Sequence, residues 1–176
     1  KGQKVSEKRA DRETNEGVVI AVINNDGSFG TIMGLGCETD FVAKNQAYID
    51  FAKSISDVAM ANKAESKEAL MAMTMDGITI AEKIAEQVGK IGEKIDITDY
   101  ALLSAETVVA YNHSNGKVGV LVAMNKKGEA VETVGKDVTM QIAAMSPIAI
   151  DKNDVPEEVK TREMEIGREQ ARAEGK

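Results

Sequence analysis

The chain has 176 residues, and 22 lysines and arginines against 29 aspartates and glutamates give it a formal net charge of −7. This acidic balance argues against a protein that holds nucleic acid directly, because phosphate backbones require concentrated positive charge. Apolar residues form 43% of the chain, enough for a core, whereas aromatic residues form only 3%, so few side chains are available for base stacking.

The first half of the sequence predicts a linker, a hairpin and helices. Residues 1–16 mix both charge signs without apolar periodicity, which indicates a solvated linker or helix. Two apolar runs, residues 18–23 and 29–35, flank a turn sequence and predict an antiparallel hairpin. Apolar residues then recur at helical spacing from Phe41 to Ala59, and they predict one long helix with Thr39 and Asp40 at its start.

Two shorter helices are predicted at residues 65–73 and 78–88, the second ending at Gly89. A strand predicted at residues 95–103 can return to pair with the hairpin. The second half then repeats the order, with strands at 106–113 and 117–124 around a turn, followed by a helix at 129–145. The residues expected on the inward face of that helix are Val131, Val134, Val138, Ile142 and Met145.

Residues 154–158 combine an N-cap aspartate, an early proline and two glutamates, which predict the start of a helix with a sparse apolar face. The expected fold class is α+β, with two repeated subdomains that each carry a three-stranded antiparallel sheet backed by helices. The second copy lacks a returning strand, so we expect its closing strand beyond Lys176. The predicted boundaries are 1–16 for the charged linker, 17–104 and 105–150 for the two core subdomains, the second incomplete, and 151–176 for the first helix of an arm.

One cysteine, Cys37, and one histidine, His113, exclude an internal disulfide and zinc sites that need several such ligands. A cytosolic thiol enzyme with Cys37 as nucleophile and His113 as base stays an alternative, although the neighbouring acids Glu38 and Asp40 disfavour a thiolate. No phosphate-loop pattern is found. From these residues we expect no enzyme, cofactor or metal site. The single cysteine favours a reducing cytoplasm. We expect no membrane partner, because no apolar stretch approaches the ~20 residues that a membrane span needs.

The most informative segment is CETDFVA at residues 37–43, and two interpretations of it are open. In the first, Thr39 caps a helix, Asp40 complements the helix dipole and Phe41 begins the buried stripe. In the second, Phe41 lies uncovered in the first turn and acts as a wedge that enters a partner's pocket, while Asp40 competes for a cation or a hydrogen-bond donor.

This segment resembles the signature of bacterial elongation factor Ts, the guanine-nucleotide exchange factor of elongation factor Tu in translation. Three further segments resemble the same family in the same order: GKIGE at 89–93, YNH at 111–113 with GKVGVLV at 116–122, and MQIAAMSP at 140–147. The resemblance covers residues 17–176. It implies a duplicated core, a helical (coiled-coil) arm with the closing strand after it, and a small N-terminal domain before this chain.

The resemblance also implies which residues meet the partner. The family segment inserts beside a helix of elongation factor Tu and disturbs its Mg²⁺ site, which maps onto Thr39, Asp40, Phe41 and Val42, with Asp40 and Phe41 as principal contacts. Losing the ion removes charge that neutralises the nucleotide phosphates, so GDP is released. Further positions that face the partner are Ile91, Gly92 and His113. A homodimer, a heterotetramer with elongation factor Tu, and a purely structural dimerisation module are open alternatives.

Overall fold

The structure, a computed structural model, describes Arg9 and residues 11–175. Most of the linker predicted at 1–16, namely residues 1–8 and 10, lies outside the described residues. Within the described part the chain is mixed α and β, and its antiparallel sheets pack with helices as predicted. The elements are β1 (Glu16–Ile23), β2 (Phe29–Cys37), α1 (Asp40–Ala43), α2 (Gln46–Asn62), α3 (Lys67–Ala72), β3 (Thr74–Met75), β4 (Ile78–Thr79), α4 (Ile80–Ile91), β5 (Ile95–Ser104), β6 (Thr107–Asn112), β7 (Gly119–Met124), α5 (Glu129–Met145) and α6 (Glu157–Ala173).

The first sheet has the strand order β1-β2-β5, with both pairs antiparallel. The turn between β1 and β2 is closed by Asp26, whose carboxylate accepts hydrogen bonds from the backbone and hydroxyl of Ser28 and from the Asn24 amide. β5 returns alongside β2 from Phe29 opposite Ser104 to Cys37 opposite Ile95. The predicted hairpin and returning strand are both confirmed.

The core lies between this sheet and the helices α2, α3 and α4. α2 buries side chains at helical spacing, and the hydroxyl of one of them, Tyr48, donates to the backbone oxygen of Leu35 at 2.7 Å. Each fully buried Leu or Ile side chain contributes about 1.5–3 kcal/mol relative to exposure, so apolar burial holds these layers together. The buried apolar residues of the helices are Tyr48, Ala52, Ile55, Ala59, Leu70, Ile80, Ile84 and Val88.

The single long helix predicted from Phe41 is wrong, because the chain breaks at Lys44 and Asn45 into α1 and α2. Asn45 is extended, and its side-chain oxygen accepts a hydrogen bond from the backbone of Ala47 at 2.9 Å. An asparagine oxygen that satisfies a free backbone N–H is a strong helix start. The end of α4 also differs from the prediction, since the helix passes Gly89 and stops at Gly92, which has φ 80°.

Besides the short antiparallel pair of β3 and β4, β6 and β7 form a longer antiparallel hairpin, which we call the second hairpin. In the described part of the chain its sheet has these two strands. α5 packs with Gly135 against Val109 of β6, where a Cβ added to the glycine would come within 2.6 Å of a valine methyl. The face of α5 that packs against β6 is therefore the one that carries Gly135, and Gly135 and Thr139 are its buried residues. The predicted inward face is therefore wrong at Val134, Val138 and Met145, which are exposed, whereas Val131 and Ile142 are half-buried.

The chain divides into two compact units, residues 1–144 and 145–176. The second unit contains α6, which begins after Pro156; Asp154 is therefore not its N-cap, and its backbone instead closes a turn with Asp151. No side chain of α6 is buried. Among the described residues, no helix is long and apolar enough to cross a membrane.

Candidate functional site

The four residues Thr39, Asp40, Phe41 and Val42, which we call the tip, follow β2: Thr39 is the N-cap position of α1, and the other three are the first residues of that helix. Phe41 is 84% exposed, in a chain that has three phenylalanines. The tip is anchored on either side by buried residues, Cys37 at the end of β2 and Ala43 at the end of α1. The first interpretation of this segment therefore fails for Phe41, which points a large apolar side chain into solvent instead of starting the buried stripe.

Asp40 forms an ion pair one helical turn along, with Lys44, at 2.6 Å. The hydrogen bond and charge of Lys44 lower the pKa of the Asp40 carboxyl from its ordinary value, with a smaller contribution from the charge of Lys117. The same pair raises the pKa of Lys44. Asp40 is therefore an anion at neutral pH, held at the base of the exposed ring by a partner that is itself on the surface.

Thr39 does not cap α1 with its side chain. Its hydroxyl instead donates to Glu93 at 2.6 Å, and its backbone N–H donates to the other oxygen of the same carboxylate at 3.0 Å. The backbone N–H of Glu38 joins that second oxygen at 3.1 Å. One carboxylate from the loop after α4 thus accepts three hydrogen bonds from Glu38 and Thr39, where the chain passes from β2 into α1.

Glu38 completes the link in the opposite direction. Its carboxylate accepts a hydrogen bond from the backbone N–H of Lys94 at 2.6 Å and ion pairs from Arg9 and Arg12 at 2.9 and 3.0 Å. The Lys94 backbone hydrogen bond, followed by those of the arginines, lowers the pKa of Glu38. We call Glu38, Thr39, Glu93 and Lys94 the clasp, because each loop holds the other by a carboxylate.

The clasp places two further predicted residues next to the tip. Gly92 ends α4 in a left-handed conformation, with φ 80°, and lies directly before Glu93. Ile91 precedes it and is 36% exposed. The predicted residues of segments 39–42 and 91–92 are therefore brought together by tertiary structure, with Phe41 and Ile91 each two residues from a clasp residue.

His113 lies in the turn between β6 and β7, where its Nδ1 is 2.8 Å from the Tyr111 hydroxyl. That turn is fixed to β1, because the Val19 backbone donates to Gly116 at 2.8 Å and Lys117 pairs with Glu16 at 2.5 Å. The contacts described for His113 join it to Tyr111 and the backbone of its own turn, and not to the tip. The turn's link to the tip is electrostatic, through Lys117 and Asp40.

Cys37 has the properties of a structural residue. It is 0% exposed, its Sγ donates to the Thr39 backbone oxygen at 3.3 Å, and burial raises the pKa of its thiol. A nucleophilic cysteine needs the opposite, an accessible thiol with a lowered pKa, so the geometry disfavours the thiol-enzyme alternative. Among the described residues, no group of three or more His, Cys, Asp or Glu side chains could hold a metal ion.

Sequence reasoning missed the residues that assemble this surface. Glu93 stood out only as the last letter of the GKIGE segment, and Glu38 only as a charge beside Cys37. The one signal available was position, since each glutamate directly adjoins residues already singled out. Asn112 was also missed; its side-chain amide bonds both backbone groups of Ala21, at 2.7 and 2.8 Å, and ties the second hairpin to β1.

Comparison with known proteins places these features in a family. The family model described as Elongation factor TS matches residues 38–176. A relative named Elongation factor Ts from Amoebophilus asiaticus is 49% identical over 177 residues, covering all of this chain and 64% of the relative. Relatives with that name from Cytophaga hutchinsonii and Bacteroides fragilis are 48% and 42% identical, with 64% and 52% of their lengths covered. The chain thus spans 64% of the length of the first two relatives.

Proposed function

Because this chain belongs to the elongation factor Ts family, we propose that it binds the GTPase elongation factor Tu and promotes release of GDP from it during translation elongation. In this proposal the tip enters the GTPase beside its Mg²⁺ site, and Ile91, Gly92 and His113 contact the same partner. The work is done by binding, with no covalent step and no cofactor, in the cytoplasm where elongation takes place. Residues 17–104 and 105–150 are the two core subdomains, and 151–176 begin the arm.

The observation that carries the proposal is the exposure of Phe41. An aromatic side chain that is 84% exposed gains about 1.5–3 kcal/mol when a partner's pocket covers it, and such residues dominate binding energy when they enter a pocket. The ring is carried by a short helix anchored at Ala43, so it needs little reordering on binding. Ile91 adds a second apolar side chain beside the same clasp.

Asp40 supplies the charge that the mechanism requires. Its pKa is lowered by Lys44, so it reaches the partner as a carboxylate that competes for cations and for hydrogen-bond donors around a bound Mg²⁺. Weakening that ion removes the main positive charge at the nucleotide phosphates and lowers affinity for GDP and GTP. By linkage, bound nucleotide weakens the hold of this chain on its partner by the same free energy, so the factor leaves after reloading.

The test is release of a fluorescent GDP analogue from elongation factor Tu, with and without this chain at increasing concentration. We expect faster release in its presence and a stable complex when nucleotide and Mg²⁺ are withheld. Gel filtration of the two proteins in EDTA gives an independent measurement. Failure to form any complex in EDTA would contradict the partner assignment.

A further inference from the structure

The clasp is the strongest feature that the proposed function leaves unused. Between Cys37 and Ala43, both buried, Val42 is partly buried against the core, whereas Glu38 and Thr39 are not part of that core. Packing therefore holds the end of the tip, but it does not fix the path of the chain from β2 into α1. Four hydrogen bonds lie at that point: the three that Glu93 accepts from Glu38 and Thr39, and the one that Glu38 accepts from Lys94.

We propose that Glu93 and Glu38 are positioning residues, which hold the tip in its partner-binding geometry before the partner arrives. The proposal rests on the proposed function, because it concerns how the same tip is presented to elongation factor Tu. Neither glutamate needs to touch the partner. Each acts through the backbone of the loop it holds, and together they fix the separation between the start of α1, which carries Phe41, and the end of α4, which carries Ile91.

The geometry distinguishes the two glutamates. Both carboxylate oxygens of Glu93 accept hydrogen bonds from Glu38 and Thr39. Removing this carboxylate therefore leaves two backbone N–H groups and the Thr39 hydroxyl without their acceptor. Glu38 uses one oxygen on Lys94 and Arg9 and the other on Arg12. Glu38 therefore also connects the tip to the segment that precedes β1, through the two arginines.

Substitutions at position 93 distinguish the effect of side-chain length from the effect of charge. A glutamine keeps the length of Glu93, and its amide oxygen can accept from both N–H groups while its nitrogen donates to the Thr39 hydroxyl. An aspartate keeps the charge but is one methylene shorter. If Glu93 acts by holding the loop, Glu93→Gln resembles the parent and Glu93→Asp resembles Glu93→Ala.

Loss of a positioning contact lowers the fraction of molecules with a competent tip, so the apparent dissociation constant rises while the bound complex still works. In the GDP-release assay we expect Glu93→Ala and Glu93→Asp to raise the half-saturating concentration by about threefold to tenfold, with the maximal rate little changed. Glu93→Gln stays within about twofold of the parent. Glu38→Gln, which can keep the Lys94 hydrogen bond but loses the ion pairs to Arg9 and Arg12, gives an intermediate rise.

Amide hydrogen exchange reports on the clasp without the partner. The backbone N–H groups of Glu38 and Thr39 should exchange at least about tenfold faster in Glu93→Ala than in the parent, and near the parent rate in Glu93→Gln. Thermal unfolding of each variant shows whether the fold is retained; if Glu93→Ala does not fold, Glu93→Asp decides in its place.

The two proposals fail in different ways. If the parent chain does not accelerate GDP release, the proposed function is wrong for it, whatever the variants do. If the parent is active but Glu93→Asp matches its half-saturating concentration, or Glu93→Gln is as impaired as Glu93→Asp, the positioning role is overturned. Unchanged exchange at Glu38 and Thr39 in the folded Glu93→Ala or Glu93→Asp protein overturns it as well.

Discussion

The side-chain amide of Asn112 bonds to the backbone of Ala21 as a residue of a neighbouring strand would. It accepts a hydrogen bond from the Ala21 N–H at 2.8 Å and donates one to the Ala21 oxygen at 2.7 Å, across 91 residues of sequence. β1 is an edge strand of the first sheet, so these backbone groups have no neighbouring strand on that side. The amide satisfies them and fixes the turn that carries His113 to the first sheet.

We expect Asn112→Ala to lower the free energy of unfolding by about 1–3 kcal/mol, because the two backbone groups of Ala21, a buried residue, lose their partner. Urea denaturation followed by circular dichroism measures this change. The control is Asn125→Ala, at an exposed asparagine just after β7, which should change stability by less than about 0.5 kcal/mol. Equal losses in the two variants would mean that the amide does not tie the hairpin to β1.

Phe41→Ala should lower the rate of GDP release from elongation factor Tu at sub-saturating concentrations of this chain by about tenfold or more, because burial of this ring is worth about 1.5–3 kcal/mol of binding and 1.4 kcal/mol is a factor of ten in affinity. Its thermal stability should match the parent, since the ring is 84% exposed. Met140→Ala, at another exposed apolar side chain, is the matched control. A release rate that Phe41→Ala leaves unchanged would rule out the wedge.

Two glycines inside helices predict opposite outcomes. Gly135→Ala places a methyl group 2.6 Å from a methyl of Val109, so we expect a loss of about 1–3 kcal/mol from overpacking. Gly167→Ala meets nothing within 4 Å and should raise the helicity of α6, because alanine favours a helix by about 0.8–1 kcal/mol over glycine. Chemical denaturation measures the first and far-ultraviolet circular dichroism the second. A neutral Gly135→Ala would show that α5 does not need this close approach.

Cys37 predicts a dependence of stability on alkaline pH. Burial raises the pKa of the thiol in the folded protein above the ordinary value. The stability that the buried neutral thiol contributes is therefore fully present below the pKa of the unfolded thiol, about 8.5. It is lost as the pH rises from there toward the folded pKa, because only the unfolded chain ionises. Unfolding measured between pH 8 and pH 10, about the range of this ionisation, should show a shallower decline for Cys37→Ser than for the parent.

The same substitution tests the thiol-enzyme alternative. Cys37→Ser should leave GDP release near the parent value once the variant is shown to be folded. The thiol of the folded parent should react slowly with a disulfide reagent and quickly in urea, since the side chain is 0% exposed. A large loss of activity in folded Cys37→Ser would favour the thiol chemistry instead.

The sequence was sufficient where the signal is local. The β-branched run of β1, the Asn-Asn-Asp-Gly turn and the apolar spacing from Tyr48 to Ala59 predicted a hairpin and a helix, because each depends on backbone preferences and on one buried face. The segment at residues 37–43 also pointed to the tip before its surroundings were known.

Only the tertiary structure decided which competing local interaction forms. Thr39 could cap a helix or bond elsewhere, and Glu93, 54 residues away, takes its hydroxyl. Either Val134 or Gly135 could face inward, and Gly135 does, because Val109 lies so close to it that a larger side chain would not fit. A residue's own preferences differ by about 1 kcal/mol or less, whereas a buried or bonded partner distant in sequence contributes as much or more. The path of the tip, and with it the surface we propose for binding, therefore depends on loops that only the fold brings together.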